Sequence, residues 1–291
     1  MPKSRGRFLR NGPYLERWYM LGASSQVKDS RVLKEDETRG RIGEKRFRLI
    51  KKWIQEVNGP FDALFAPYVT GDSVLLDAGC SRGDPDIPSI RRAGFSVGCD
   101  VDTTGLRGNT LVCDRVTADL NALPFAEAAF DAIVCKFVVE HLEVPDLVFR
   151  EFGRILKVGG VLAVLTPNAI SPFAMISRLV PYRAKQKLKS RLFGVHEEDT
   201  FPVCYRANRA DKLDTLIRQA GLRPVRRELQ PGMWVFFIFS GWIAMTVRFL
   251  EHLEHRIPAL RGGCMYILGV WEKPSGTPAK LVRNNAAPTT G

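Results

Sequence analysis

A chain of 291 residues, 45% of them hydrophobic, can bury a full core and lies within the size range of one large α/β domain with insertions. Its six cysteines (Cys80, Cys99, Cys113, Cys135, Cys204, Cys264) form no C-x-x-C pair, and neither an apolar stretch nor a small-residue cleavage site follows the basic N-terminus. That pattern predicts buried reduced thiols in a cytoplasmic protein, with no metal site and no secretory signal. The net charge of +12 is uneven: residues 1–60 hold 15 Lys and Arg against 7 Asp and Glu, residues 72–170 hold 9 against 14, and residues 171–291 hold 19 against 9. A basic rim around an acidic middle attracts an anionic partner (nucleic acid, a phospholipid surface or an acidic substrate), or is a plain solvated surface.

Residues 1–40 are polar and basic with scattered aromatics, among them Phe8, Tyr14, Trp18 and Tyr19. Over residues 43–57, Phe47, Leu49, Ile50, Trp53, Ile54 and Val57 recur at helical spacing and predict an amphipathic helix that stops at Asn58, Gly59 and Pro60. From Ser73 onward, apolar runs at 73–77, 95–99, 111–113, 130–135 and 160–166 alternate with helical stretches, the texture of parallel βαβ units. A closing strand is expected over 265–271. The Pro-, Gly-, Ala- and Thr-rich tail from Pro274 reads as disordered, and no internal repeat is visible.

The chemistry starts where the first strand, Ser-Val-Leu-Leu-Asp from Ser73 to Asp77, runs into Ala-Gly-Cys-Ser-Arg-Gly, ending at Gly83. Gly79 and Gly83 let backbone approach a ligand without a Cβ in the way, and their spacing differs from the G-x-G-x-x-G of a dinucleotide loop. A second strand ends in an acid, Asp100, about 20 residues past the glycine turn, the spacing at which a carboxylate grips ribose hydroxyls. Asp102 is its reserve. Then come Ala-Asp-Leu (Asp119, Leu120) with Leu123-Pro124-Phe125, a strand ending at Cys135 with Lys136 after it, Glu140-His141-Leu142, and Arg154-Ile-Leu-Lys-Val-Gly-Gly160 before a fifth strand.

In that order these segments resemble the class I S-adenosylmethionine (SAM) dependent methyltransferases, in particular the ubiquinone-type O- and C-methyltransferases. The first loop resembles the family's D-x-G-x-G-x-G with Ser81 at the middle glycine, and Pro85 and Pro88 should shorten the helix after it. The 119–125 segment is similar to D-x-x-x-L-P-F, 140–142 to the E-H-L, and 154–160 to R-x-L-K-P-G-G with Val158 for proline. The close resemblance covers about a third of the chain and extends more faintly through 205–208 and 220–222. It implies a Rossmann-like α/β fold: a seven-stranded, mostly parallel sheet with helices on both faces, a helical N-terminal cap over 1–70, a methyltransferase domain over 71–273 and a tail over 274–291. Residues 171–200 and 230–263 read as insertions over the acceptor site, the second a C-terminal helical insertion. It also implies SAM as cofactor, held by Asp77, Gly79, Cys80, Ser81, Gly83, Asp100, Val101, Asp102, Asp119, Leu120, Cys135 and Lys136.

Several of these residues have simpler structural readings beside the functional ones. Asp77 serves as a turn cap in that reading, Asp131 satisfies loop amides, and Gly159 with Gly160 is most simply a helix C-terminus. For proton removal from an acceptor the candidates are His196, which resembles a histidine after the fifth strand of ubiquinone-type O-methyltransferases, and His141. His196 otherwise caps a helix, and His141 otherwise packs at a helix start. The position after the fourth strand reads Cys-Lys-Phe-Val and lacks the Pro-Pro turn of methyltransferases acting on base amines, so the expected acceptor is oxygen or carbon of a small apolar or amphipathic molecule. Residues 233–247 form an uncharged apolar run too short to span a bilayer. With the amphipathic continuation to Arg256 and the basic stretch 178–191, it reads as an interfacial element on an anionic membrane, a lid over the acceptor, or a core helix. A non-catalytic SAM-binding protein and an RNA-directed enzyme or binding protein are the rival readings; no recognised RNA-binding module supports the second. The sequence gives no oligomeric state.

Overall fold

A computed structural model describes residues 39–40, 42–178, 180–181 and 202–275. The expected disorder of the tail beyond 275, the aromatics of the first 38 residues, His196 and most of the basic 178–191 stretch lie outside the described residues.

Helix α1 (Glu44–Phe65) buries Phe47, Val57, Phe61, Leu64 and Phe65. It does not stop at Asn58, Gly59 and Pro60 as the sequence predicts, but carries Pro60 inside it. An interior proline costs a helix about 3 kcal/mol. Here Phe61 and Phe65 are fully buried against the sheet, and each such side chain returns about 1.5–3 kcal/mol, so packing outweighs the local stop signal.

Seven strands follow: β1 (Val74–Ala78), β2 (Phe95–Asp100), β3 (Asp114–Thr117), β4 (Phe130–Lys136), β5 (Leu156–Pro167), β6 (Arg223–Gln230) and β7 (Tyr266–Glu272). They form one sheet in the order β3-β2-β1-β4-β5-β7-β6. β1 to β5 pair in parallel, and β7 is antiparallel to both β5 and β6. This is the seven-stranded, mostly parallel sheet expected from the resemblance. The order of strands reverses between β1 and β4, so a crevice opens there at their carboxyl ends.

Helices cover both faces. Leu76, Ile133 and Leu162 point toward α4 (Pro145–Ile155) and α6 (Ala210–Gln219), whose Phe149, Phe152, Leu213 and Ile217 complete one core. Leu75, Val134 and Leu165 point the other way, toward α1 and the five-residue α2 (Pro88–Arg92). Pro88 sits in the first turn of α2, in keeping with the shortening that the two prolines predict. Helix α3 (Thr103–Arg107) follows β2, and α5 (Pro172–Arg178) follows β5.

The third strand runs over 114–117 and not over the apolar 111–113. As an edge strand it needs no continuous apolar run, and its Asp-Arg-Val-Thr carries none, while Leu111 is buried beside it. Gly159 and Gly160 do not end a helix: α4 stops at Ile155, and the pair lies in β5, where the Gly159 N–H donates to the Lys273 carbonyl at 2.7 Å and the Gly160 carbonyl accepts from Lys273 at 2.9 Å. Four cysteines are buried, but Cys113 and Cys204 are exposed: Cys113 lies in a loop before β3 and not in the strand expected over 111–113, and Cys204 lies in a loop before α6.

The apolar run of 233–247 divides. A 3-10 turn, Met233–Phe237, buries Trp234 and Val235, with Ile238 buried after it. Helix α7 (Gly241–Arg256) lies outside the core and buries only Ala244 and Glu251. A core helix and an exposed one thus share a stretch that reads as a single element. Among the described residues no helix is long and apolar enough to cross a membrane.

Candidate functional site

The loop after β1 is folded tightly. Its Gly79 has φ 70° and Ser81 φ 40°. A Cβ at Gly79 would stand 2.2 Å from Val138 Cγ2, so no larger residue fits there. The Ser81 position is left-handed, which explains a glycine there in the family; this chain holds a serine in a conformation that costs a non-glycine residue about a kilocalorie or more.

Asp100, at the end of β2, ties this loop down. One carboxylate oxygen accepts the Ser81 N–H at 2.7 Å and the other accepts the Asp102 N–H at 2.8 Å. Each oxygen retains capacity for a further donor, so ribose hydroxyls could be added to the same carboxylate. Asp102 caps α3 by accepting from Thr104 N–H at 3.0 Å, and Val101 between them is 63% exposed. Beyond β3, Asp119 is exposed and accepts from the Asn121 amide and side chain, while Leu120 is buried in the core.

Asp77 in β1 and Lys136 at the end of β4 lie on the α1 side of the sheet; Cys135, between them in register, faces α4 and is fully buried. Any part Cys135 plays toward a ligand therefore falls to its backbone. Lys136 Nζ pairs with the Asp84 carboxylate, which also accepts from Asn58 Nδ2 at 3.0 Å and from the Asp86 N–H at 2.9 Å. Burial alone would raise the Asp84 carboxyl, but Lys136 and these hydrogen bonds hold it below its usual value. Asp77 has no such pair. Burial pushes its carboxyl up to about 7; Lys136 opposes the shift, and Asp84 and Asp100 add to it.

Above this polar floor opens a cavity of about 410 Å³ lined by α1 through Trp53, Ile54 and Val57, by Arg82 and Asp84 of the loop, and by Lys136 and Phe137. Phe137 has φ 55° and its ring lies 5.7 Å from that of the buried Tyr266. The 3-10 turn Val139–His141 follows. In it Glu140 is buried and accepts from Thr166 Oγ1 at 2.9 Å, and Asn208 Nδ2 donates to the same Thr166 oxygen at 2.6 Å. His141 Nδ1 lies 2.6 Å from the Pro202 carbonyl. A carbonyl only accepts, so the proton sits on Nδ1 and Nε2 is the basic nitrogen.

Asp77, the 79–83 loop, Asp100 to Asp102, Asp119 and Lys136 therefore gather at the carboxyl ends of four adjacent strands. The sequence reading did not single out Asp84, Phe137, Tyr266 or the Glu140–Thr166–Asn208 network. Trp53 was visible only as part of an apolar helix face. Among the described residues no group of His, Cys, Asp and Glu is arranged to hold a metal ion.

Known proteins of similar sequence are methyltransferases. The sequence profile of the methyltransferase domain family matches residues 76–164. The chain is 28% identical over 191 residues to the malonyl-[acyl-carrier protein] O-methyltransferase of Herminiimonas arsenicoxydans, across 60% of this chain and 72% of that one. It is 29% identical over 160 residues to the ubiquinone/menaquinone biosynthesis C-methyltransferase of Stenotrophomonas maltophilia, across 52% of this chain and 62% of that one. In fold it is similar to a methyltransferase solved in complex with the Haloferax volcanii Trm112 methyltransferase activator, at TM-score 0.52 and 14% identity, covering 86% of this chain and 96% of the other. Together these matches support a class I SAM-dependent methyltransferase. SAM is the cofactor that this family uses.

Proposed function

We propose that this enzyme transfers a methyl group from SAM to oxygen or carbon of a small acceptor with an apolar or amphipathic body. The observation that carries this reading is the cavity over the β1 and β4 ends, walled by Trp53, Ile54, Val57 and Phe137 and edged by Lys51, Arg82, Asp84, Asp86 and Lys136. Aromatic and aliphatic walls with charges of both signs at one side suit a molecule with an apolar body and a polar end. The names of the relatives, one an O-methyltransferase and one a C-methyltransferase, are in keeping with either acceptor atom.

SAM residues are proposed on the same footing. Asp100 receives the ribose hydroxyls, Asp102 and Val101 flank it, Asp119 and Leu120 border the adenine, and the 79–83 backbone with Asp77 and Lys136 surrounds the methionine end. The donor set fits the group, because Asp100 keeps acceptor capacity and the acidic floor suits a ligand with a sulfonium and an ammonium. Bound SAM supplies an electrophilic methyl group. The protein's own work is to hold the acceptor in line, exclude water with α1 and Phe137, and take up a proton. His141, with its Nδ1–H fixed by Pro202, is proposed as the base; His196 is the second candidate.

The test is acceptor profiling with radiolabelled SAM against polar metabolites, lipid extracts and total RNA in parallel. Label entering a small organic-soluble product supports the proposal. Label in RNA alone would overturn the acceptor class, and SAM binding without turnover on any extract would overturn catalysis.

A further inference from the structure

Helix α7 is arranged opposite to an ordinary surface helix. Its buried side holds Ala244 and the carboxylate of Glu251, 3% exposed, which accepts from the backbone N–H groups of Gly232 at 2.7 Å, Met233 at 2.5 Å and Trp234 at 3.1 Å. Its outer side holds Trp242 (81% exposed), Met245, Phe249 (67%), Leu250 and Leu253. At 3.6 residues per turn these five fall on one face, opposite Ala244 and Glu251. Soluble surfaces rarely leave so continuous an apolar stripe without a partner.

Charge decides which partner fits. Both acids of the helix are turned inward, Glu251 fully and Glu254 toward Gly263. Of the cationic groups beside the stripe, Arg248 is paired with Glu56 at 2.6 Å and Arg261 Nε donates to the His255 carbonyl at 2.6 Å, while Arg256 at the helix end is exposed. The chain as a whole carries +12. A second copy would bring arginine against arginine; an anionic surface complements the face. At 1.5 Å per residue the 16-residue helix is about 24 Å long, short of the roughly 30 Å of a bilayer core, so its axis must lie along a bilayer and not through it.

We infer that the outer face of α7 docks in the headgroup region of an anionic phospholipid membrane, with Trp242, Phe249 and Leu253 as the inserting side chains. Trp234 and Phe236, which the sequence groups with them, take no part, since Trp234 is buried and Phe236 stacks on Phe173 with ring centroids 4.0 Å apart. The inference does not depend on the acceptor.

The full chain is sedimented with vesicles of phosphatidylcholine alone and with vesicles of equal phosphatidylcholine and phosphatidylglycerol. Binding to the mixed vesicles is expected, weakened by salt. Trp242→Ser with Phe249→Ser should reduce it at least tenfold without lowering the thermal midpoint, because both side chains are already in water. Arg256→Gln should reduce it several-fold at low salt only. Three results would overturn the docking: a wild-type chain that stays in the supernatant, a folded double variant that sediments as well as wild type, or sedimentation-velocity dimerisation lost in the double variant without vesicle binding, which would assign the stripe to a second copy.

Discussion

The two sides of the crevice are built differently. On the β2 and β3 side, the candidate cofactor residues are local: Asp100 bonds the amides of Ser81 and Asp102, and Asp119 bonds those of Asn121, all within a short span of chain. On the β4 and β5 side, Trp53, Phe137 and Tyr266 come from segments far apart in the sequence and are brought together by the packing of α1 on the sheet and the pairing of β5 with β7. The first side is a backbone device that keeps its spacing, and so leaves a motif. The second is a packing surface, free to change with its acceptor.

This division predicts that damage to the acceptor side shows in turnover and damage to the cofactor side shows in binding. The largest effect is expected for the base. His141→Ala should lower kcat by roughly 10² to 10⁴ while SAM affinity stays within a few-fold. His196→Ala, measured beside it, should give the smaller loss. If the two losses are reversed, the base is His196; if both are slight, positioning alone suffices and the proposed proton transfer is wrong.

The cofactor side is sharpened by Asp100→Ala. Loss of charge-assisted hydrogen bonds costs about 1.5–3 kcal/mol, so SAM affinity by calorimetry should fall about tenfold to a hundredfold. Part of that loss is indirect, because Ser81 and Asp102 lose the acceptor that orders the loop. Unchanged affinity in a folded variant would remove Asp100 from the cofactor site.

The same division explains what could be read from the sequence. The βαβ alternation, the glycine loop and the acid at the end of β2 are legible because backbone conformation demands particular residues at fixed spacing. Pro60 misleads because its helix is held by Phe61 and Phe65 against a sheet that is distant in sequence. β3 and β6 carry no apolar run, since edge strands are covered on fewer sides. The 233–247 run is uniform in hydropathy, yet Ile238 is buried while Phe239, next to it, is 54% exposed. Composition records that such residues avoid water without recording which partner covers them.

The smallest effect lies at the boundary between the two sides, where Asp77 faces Lys136, and it is a dependence on pH. The carboxyl is raised from 3.8 to about 7 chiefly by burial. The folded state therefore favours the protonated form: its stabilising contribution is complete below about pH 4 and is lost as pH rises toward 7. In ligand-free protein the denaturation midpoint should fall gently across that window, and Asp77→Asn should flatten this part of the profile. A cationic ligand beside Asp77 favours the ionised form, so SAM affinity should rise several-fold from pH 6 to pH 8 in wild type and stay level in Asp77→Asn. A slope that survives the substitution would assign the titration to another group. Equal slopes with SAM and with uncharged S-adenosylhomocysteine sulfur would separate Asp77 from the sulfonium and leave only the ammonium end to couple to it.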